Sequence, residues 1–476
     1  MPITAISLGL KSAPARFKQG GSAVIINGFA EQVGEEGKSP WHIYSSDGLQ
    51  GLADLDAVTP ADGGVRAALN LDGVLYVVAG TRVYRVTANG TVTLLGSMSI
   101  SDTGPVFMER NRRATPDIAI VCDGLMYYVR ADVLAQVVDA DLLAPTSLSF
   151  VDGYFVIGTA NNKWQIGAID DASAWDPLDF ARADANPDAV VVVSAMQSQA
   201  VIVGELSTEF HRNTGNADFA FEFVTSADVG CLAAGSVQKL EQSIAFVASD
   251  RTVRMFVGYE ARRVSSHAVE RDIESLTDRS IIKSSTWVKD GHTFYSITAP
   301  GFFTWTYDTV TALWHKRKSY NRPDWRVTTV TAFDGKLIAG DADSGKLYEM
   351  SAAFTDEAGE PLVMEVITPP VHAFPYEMRH DCLYLDLERG VGTGQGDAQD
   401  IDPEVMIDWS EDGGATFGNE RVRKIGQQGK GVIRVDVHRL GIAPVDGRVY
   451  RFRISAKVRR GFYGASLRTT PLQRAA

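Results

Sequence analysis

The chain has 476 residues, 45% of them hydrophobic and 22% charged, with a formal net charge of −13, ordinary values for a globular protein with room for two or three domains. No apolar run approaches the roughly 20 residues that span a bilayer, and the opening Met1-Pro2-Ile3-Thr4-Ala5-Ile6 lacks the basic flank and apolar stretch of a secretory signal. Cys122, Cys231 and Cys382 are odd in number and far apart, without metal spacing; buried reduced thiols in a reducing cytoplasm are expected rather than a disulfide framework.

In chain order the first motif is a false one. Glu36-Gly37-Lys38-Ser39 looks like the end of a phosphate-binding loop, but Gln32 stands where its first glycine belongs, and Pro40-Trp41 follow where a helix should start. From there to residue 365 the pattern is short strands and turns. Asp-Gly ahead of an apolar run recurs at Asp72-Gly73, Asp123-Gly124, Asp152-Gly153, Asp290-Gly291 and Asp334-Gly335. This is a hairpin signal, because a type I′ turn needs positive φ at both central residues. The spacings are 51, 29, 138 and 44 residues; two fit a unit of about 45–50 residues and the third is close to three such units, while the shortest does not fit. Repeated four-stranded units of that length predict an all-β fold with a degenerate β-propeller, where radial repetition leaves only short sheet edges. A large β-sandwich, or a stack of them, is the competing architecture.

Inside that region Asp170-Asp171, and Asp184 with Asp188, read as solvated loop acids around Trp175-Asp176-Pro177-Leu178-Asp179-Phe180. Glu270 to Arg279 reads as a short helix or helical turn. Thr304–Asp308 with Leu313–His315, and Ile338–Asp341 with Lys346–Tyr348, read as hairpins. Asp341-Ala342-Asp343-Ser344-Gly345 begins like a calcium loop, but Lys346 and Ala352 occupy the positions of its glycine and its last acidic ligand, so a turn is expected.

Pro361 to Pro375 interrupts pairing. It predicts a propeller over residues 1–364, with an N-terminal strand able to close the ring, and a small basic β-sandwich over 365–476. Cys382–Leu387 reads as a strand and Gly390 to Asp402 as a flexible, exposed loop. Next comes Ser410-x-Asp412-x-Gly414-x-Thr416 followed by Phe417, the pattern of an Asp box. Its Asp side chain binds turn N–H groups and its Gly supplies positive φ. Arg448-Val449-Tyr450-Arg451-Phe452-Arg453-Ile454 then alternates basic and apolar residues. Residues 421–476 hold 14 Lys or Arg against 2 Asp, a balance of +12 that leaves −25 on the first 420. Such asymmetry steers docking to an oppositely charged partner, unless the arginines simply decorate exposed strand faces.

Nothing in the spacing asks for a reaction centre. The eight histidines include no H-x-x-x-H or H-x-H pair, and no G-x-S-x-G elbow occurs. Ser410, Asp412, Gly414 and Thr416 are structural turn residues; no catalytic residue, cofactor or metal is assigned, and an enzyme is not expected. A sialidase-like carbohydrate-active propeller is one alternative, but it would show several Asp boxes and a set of pocket arginines. A peptide-recruiting propeller scaffold is another, and it would show regular repeats with a W-D-like signature.

Three segments carry a family resemblance. The first is Ile25-Ile26-Asn27-Gly28-Phe29-Ala30-Glu31, with Gly37-Lys38-Ser39-Pro40 and Ser46-Asp47-Gly48-Leu49. The second is Ala174 to Ala181 with Asn186-Pro187-Asp188, then Val201-Ile202-Val203-Gly204 leading to Ser207-Thr208-Glu209-Phe210. The third is Asp408 to Phe417 with Arg439-Leu440-Gly441 and Arg448 to Ile454. Together they resemble the packaged-DNA stabilisation (tail hub or head-completion) proteins of short-tailed double-stranded-DNA phages. The resemblance implies a structural virion protein of the phage tail, assembled in host cytoplasm. It implies a ring, usually a homo-hexamer, below the portal and its adaptor, which helps retain packaged DNA and mounts a needle or tailspikes. It carries no catalytic residues over.

Overall fold

The structure is a computed structural model that describes the chain apart from residues 1–2, 18–19, 35–36, 59–62, 102, 187 and 476. Met1, Pro2, Glu36 and Pro187 of the motifs above lie outside the described residues. Strands make up 53% of the chain and helix 4%, so the all-β expectation holds.

Six consecutive four-stranded antiparallel sheets span residues 65–97, 107–136, 145–182, 190–227, 238–263 and 283–316. The seventh takes three strands, Val327–Phe333, Lys336–Asp341 and Lys346–Ser351, and receives its outer strand, Gly48–Asp54, from the start of the chain. The ring therefore closes by pairing the two ends of the propeller. Closure leaves no space at Gly48, where an added Cβ would lie 2.4 Å from the carbonyl oxygens of Phe354 and Asp356.

The five Asp-Gly pairs all form two-residue turns with positive φ, for example Asp72 at 51° and Gly73 at 79°. Four of them join the first and second strands of their blades; Asp123-Gly124 joins the second and third strands of blade two. That displacement by one hairpin explains the spacing of 29. Blade four makes the same first turn with Gln197-Ser198 (φ 50° and 61°), and blade five turns at Glu241 (φ 51°), so no Asp-Gly signal marks them. Blade cores are apolar and interdigitate between neighbours: Val78, Val83, Ile118, Ile120 and Val129 are buried together across blades one and two.

The sandwich has two sheets. One orders Gly28–Gln32, Trp41–Ser45, Gly461–Ala475, Tyr376–Leu387 and Val435–Ala443, with Ile3–Ile6 also on Gly461–Ala475. The other orders Val24–Ile26, Met364–Ile367, Val449–Ile454, Glu404–Ser410 and Arg421–Lys424, and runs on into blade six through the parallel pair Ile26 and Lys316. The period of two holds along Val449–Ile454: Tyr450, Phe452 and Ile454 are buried against Leu383, Leu385 and Phe462, while Arg451 and Arg453 point outward. Each such ring contributes about 1.5–3 kcal/mol by burial.

Two differences from expectation concern boundaries. The strands between Ile3 and Ser45 pair with sandwich strands, and Val24–Ile26 also pairs with blade six through Ile26 and Lys316. Met364–Ile367 is a strand inside the proline-rich boundary, since Pro369 and Pro370 come only after its last paired residue. The expected helical turn begins earlier, at His267–Ser275, and ends where Leu276 turns extended (ψ 133°). The glycine-rich loop closes in one helical turn, Ala398–Ile401, and the buried Asp400 carboxylate accepts the Lys457 N–H at 2.7 Å, so that end of the loop is anchored. No described helix is long and apolar enough to cross a membrane.

Candidate functional site

The four turn residues come together at the end of Glu404–Ser410. Asp412 Oδ1 accepts the N–H groups of Ala415 and Thr416 (both 2.9 Å), and Oδ2 accepts the Thr416 hydroxyl at 2.6 Å. Ser410 Oγ donates to Asp412 at 2.6 Å and accepts the Gly414 N–H at 2.7 Å. Gly413 and Gly414 take φ of 73° and 92°, which only glycine adopts readily. These hydrogen bonds hold the Asp412 carboxyl well below the usual carboxylate range, those from Ser410 and Thr416 contributing most. Beyond the turn, Arg451 stacks over Phe417 at 3.9 Å while its fork grips Asp408 at 2.9 and 2.5 Å. Replacing Asp412 with Ala is expected to speed hydrogen exchange at Gly414, Ala415 and Thr416 and to lower the stability of the sandwich; unchanged exchange would show that the carboxylate does not hold the turn.

The loop acids are tied down rather than free. Buried Asp117 gathers Arg130, Asn111 and the Ala172 N–H. Asp171 accepts Ser173 and Arg130; burial alone would raise its pKa, but these bonds pull it down to about 2. Asp188 caps the turn at Leu206 and Ser207 (2.6 and 2.9 Å), and Asp184 accepts Asn162. Asp341 accepts the Asp343 and Ser344 N–H groups inside its hairpin. Each acid fastens a turn or joins neighbouring blades, and none of these groupings leaves a matched acid and base facing a cleft.

The basic end is partly neutralised within the fold. Arg448 pairs with Glu411 (2.5 Å), Arg453 with Glu420 (2.5 Å), Lys457 with Asp356 (2.8 Å), Arg459 with Glu388 (2.7 Å), Arg451 with Asp408, and Lys424 with Asp402. The acids of the first 420 residues reach these six arginines and lysines directly, while Arg421, Lys430, Arg434 and Arg439 lie exposed.

Sequence reasoning missed two features. The first is the channel at the propeller axis, a cavity of about 280 Å³ lined by first strands from all seven blades. Serines and threonines share its lining with alanines, valines and other apolar side chains, together with Arg66, Lys283 and the Glu109–Lys239 ion pair. Arg66 is spent on carbonyl oxygens, at 2.9 Å to Gly80, 2.6 Å to Ser101 and 2.5 Å to Thr103, which bolts blade one to blade two.

The second is the seam where blades six and seven meet the N-terminal segment around Asn27 and Asp47. Fully buried Arg317 lies 3.7 Å over Trp325 and donates to the Asp47 carbonyl at 2.6 Å. Glu357, also buried, accepts the Trp325 indole N–H at 3.1 Å. Burial lowers Arg317 to about 10 and raises Glu357, each partly offset by the other's charge. Asn27, with φ of 55°, donates to the carbonyls of Lys318 (3.0 Å) and Val363 (2.9 Å) and accepts the Lys318 N–H at 3.0 Å. It joins the N-terminal segment, the exit of blade six and the entry to the sandwich. The one sequence signal was Asn27-Gly28 itself, a dipeptide suited to positive φ.

Two buried histidines make stability depend on pH. Burial takes His315 down to about 3; burial and the nearby Arg448 take His380, hydrogen-bonded to the Tyr450 hydroxyl at 2.6 Å, to about 4. The unfolded chain takes these protons near 6.5, so the neutral rings contribute stability that is full above that pH and is lost as pH falls toward 4. The urea midpoint is expected to drop between pH 7 and about 4.5, and His380→Gln, which keeps a partner for Tyr450, should flatten that limb. An equally steep limb in the variant would contradict the assignment.

Seven four-stranded blades, closed by an N-terminal strand and fused to a two-sheet sandwich, define a propeller–sandwich protein. The comparisons name its family. The description "Bacteriophage P22 Gp10, beta-propeller" matches residues 29–355, and "Bacteriophage P22 Gp10, beta-sandwich" matches residues 368–470. The chain belongs to the bacteriophage P22 Gp10 family, the packaged-DNA stabilisation proteins that its sequence resembles. It is a bacteriophage structural protein with a β-propeller fold. No curated protein matches it. Among solved structures, the computationally designed Ika8 protein is 13% identical, with a TM-score of 0.37 over 63% of this chain and 99% of that one. The WD40 propeller of Doa1 is 12% identical at 0.39, over 64% and 97%. The extracellular domain of BT4673 from B. thetaiotaomicron is 8% identical at 0.44, over 84% of this chain and 48% of that one.

Proposed function

We propose that this chain is the tail hub of a short-tailed phage: a homo-hexameric ring below the portal and adaptor that keeps packaged DNA in the head and mounts the needle or tailspikes. It acts by contact and carries out no catalysis. The observation that carries this reading is the family match over both units in order, propeller then sandwich. The physical character of the molecule agrees. A ring of stiff blades presents many loops as contact surfaces, and Asn27 ties blade six to the entry of the sandwich, so that the two units transmit load together.

The retention of DNA then falls to the assembled ring. The cavity of about 280 Å³ at the propeller axis has no room for a duplex. We place the working boundary between units in the seam, with the strands Ile3–Ile6, Gly28–Gln32 and Trp41–Ser45 counted with the sandwich. The chain is assembled in host cytoplasm and ends in the virion. Phage lacking this gene are expected to fill heads and then lose the DNA, and supplying the chain in trans should restore stable particles. Full, infective particles without the chain would overturn the proposal.

A further inference from the structure

Three side chains converge on the outer face of the sandwich, away from the seam and the Asp turn. Cys382 stands opposite His438 across the pairing of Tyr376–Leu387 with Val435–Ala443, and Asp436 lies two residues along the same strand, on the same face. Cys382 Sγ is 3.9 Å from His438 Nε2, which is 3.3 Å from Asp436 Oδ2. All three ligand atoms lie within 4.8 Å of one another.

We propose that Cys382, Asp436 and His438 bind one zinc-class divalent cation. Tetrahedral bonds of about 2.0–2.3 Å set ligand atoms about 3.3–3.8 Å apart, so small side-chain rotations suffice to close on the ion. Thiolate with imidazole and carboxylate suits zinc or cobalt better than magnesium or calcium, which prefer oxygen. The His438 side chain is 55% exposed, which gives the ion an entry path and leaves its fourth position to water. Burial raises the Cys382 thiol pKa above its ordinary value, so the ligand meets the ion as a thiol. Binding therefore breaks the S–H bond, forms a metal–sulfur bond and releases the proton to solvent, with no change of oxidation state. Arg468, opposite Cys382 on the other neighbouring strand, opposes the cation but favours the thiolate it needs. The Tyr384 hydroxyl also faces the thiol, and Arg423 donates to the Asp436 carbonyl at 2.7 Å rather than to its carboxylate. The bound ion would staple two adjacent strands of the sandwich.

The test is a titration of the full-length reduced protein with Co²⁺, following the thiolate-to-cobalt charge-transfer absorption. A band saturating at one Co²⁺ per chain and displaced by Zn²⁺ is expected. Cys382→Ser should abolish it, although Cys122 and Cys231 remain. His438→Ala, at an exposed position that folding tolerates, should weaken binding at least tenfold. No band in the wild type under excess Co²⁺, a folded Cys382→Ser protein that keeps the band, or unchanged affinity in His438→Ala would each overturn the proposal.

Discussion

Replacing Arg317 with Ala is expected to destabilise the protein by about 3–5 kcal/mol, the cost typical of removing one member of a buried charged set. The guanidinium is wholly buried and balances the charges of Glu357 and Asp47. Without it the Glu357 carboxylate stays buried with Oε2 already lacking a partner, and Trp325 loses the cation over its face. Arg317→Lys keeps the charge but not the planar stack or the fork, so an intermediate loss is expected. Urea unfolding of the three proteins measures this; an Ala variant within about 1 kcal/mol of wild type would show that the seam does not depend on the buried charge.

Asn27→Ala is expected to be the second large effect, about 3 kcal/mol or more, from three broken buried hydrogen bonds and a side chain ill suited to φ of 55°. Because Asn27 ties three segments together, its loss should also split one unfolding transition into two, the sandwich separating from the propeller. Asn27→Gly relieves the backbone strain without restoring the bonds, so it should rescue only a small part of the stability. Calorimetry reads both quantities. A single undisturbed transition in the Ala variant would contradict the coupling assigned to this residue.

The local features were legible and the distant ones were not. Asp-Gly turns and the Asp box write their backbone geometry into two to seven adjacent residues, and the structure places each as a turn. Blades four and five escaped because Gln197-Ser198 and Glu241 take positive φ without a glycine or a recognisable dipeptide. Their turns are imposed by the register of the flanking strands, a tertiary override of local preference. The pairing of Ile3–Ile6 with residues 465–468, and of Ile25 with Val366, joins segments several hundred residues apart, and single-sequence periodicity carries no register information across such a span. The Cys382, Asp436 and His438 group was hidden for the same reason: its ligands are adjacent only through strand pairing. The arginine-rich strands were visible, but their partners, such as Glu388 and Glu411, had to be located in space.

The central claim, a hub built by contact with the portal and adaptor, is tested most directly by molar mass. Light scattering would be run on the chain alone and after mixing with the portal–adaptor complex of the same phage. A complex whose added mass corresponds to six copies per portal–adaptor assembly is the expected result. A chain that stays monomeric and unbound in that mixture would contradict it.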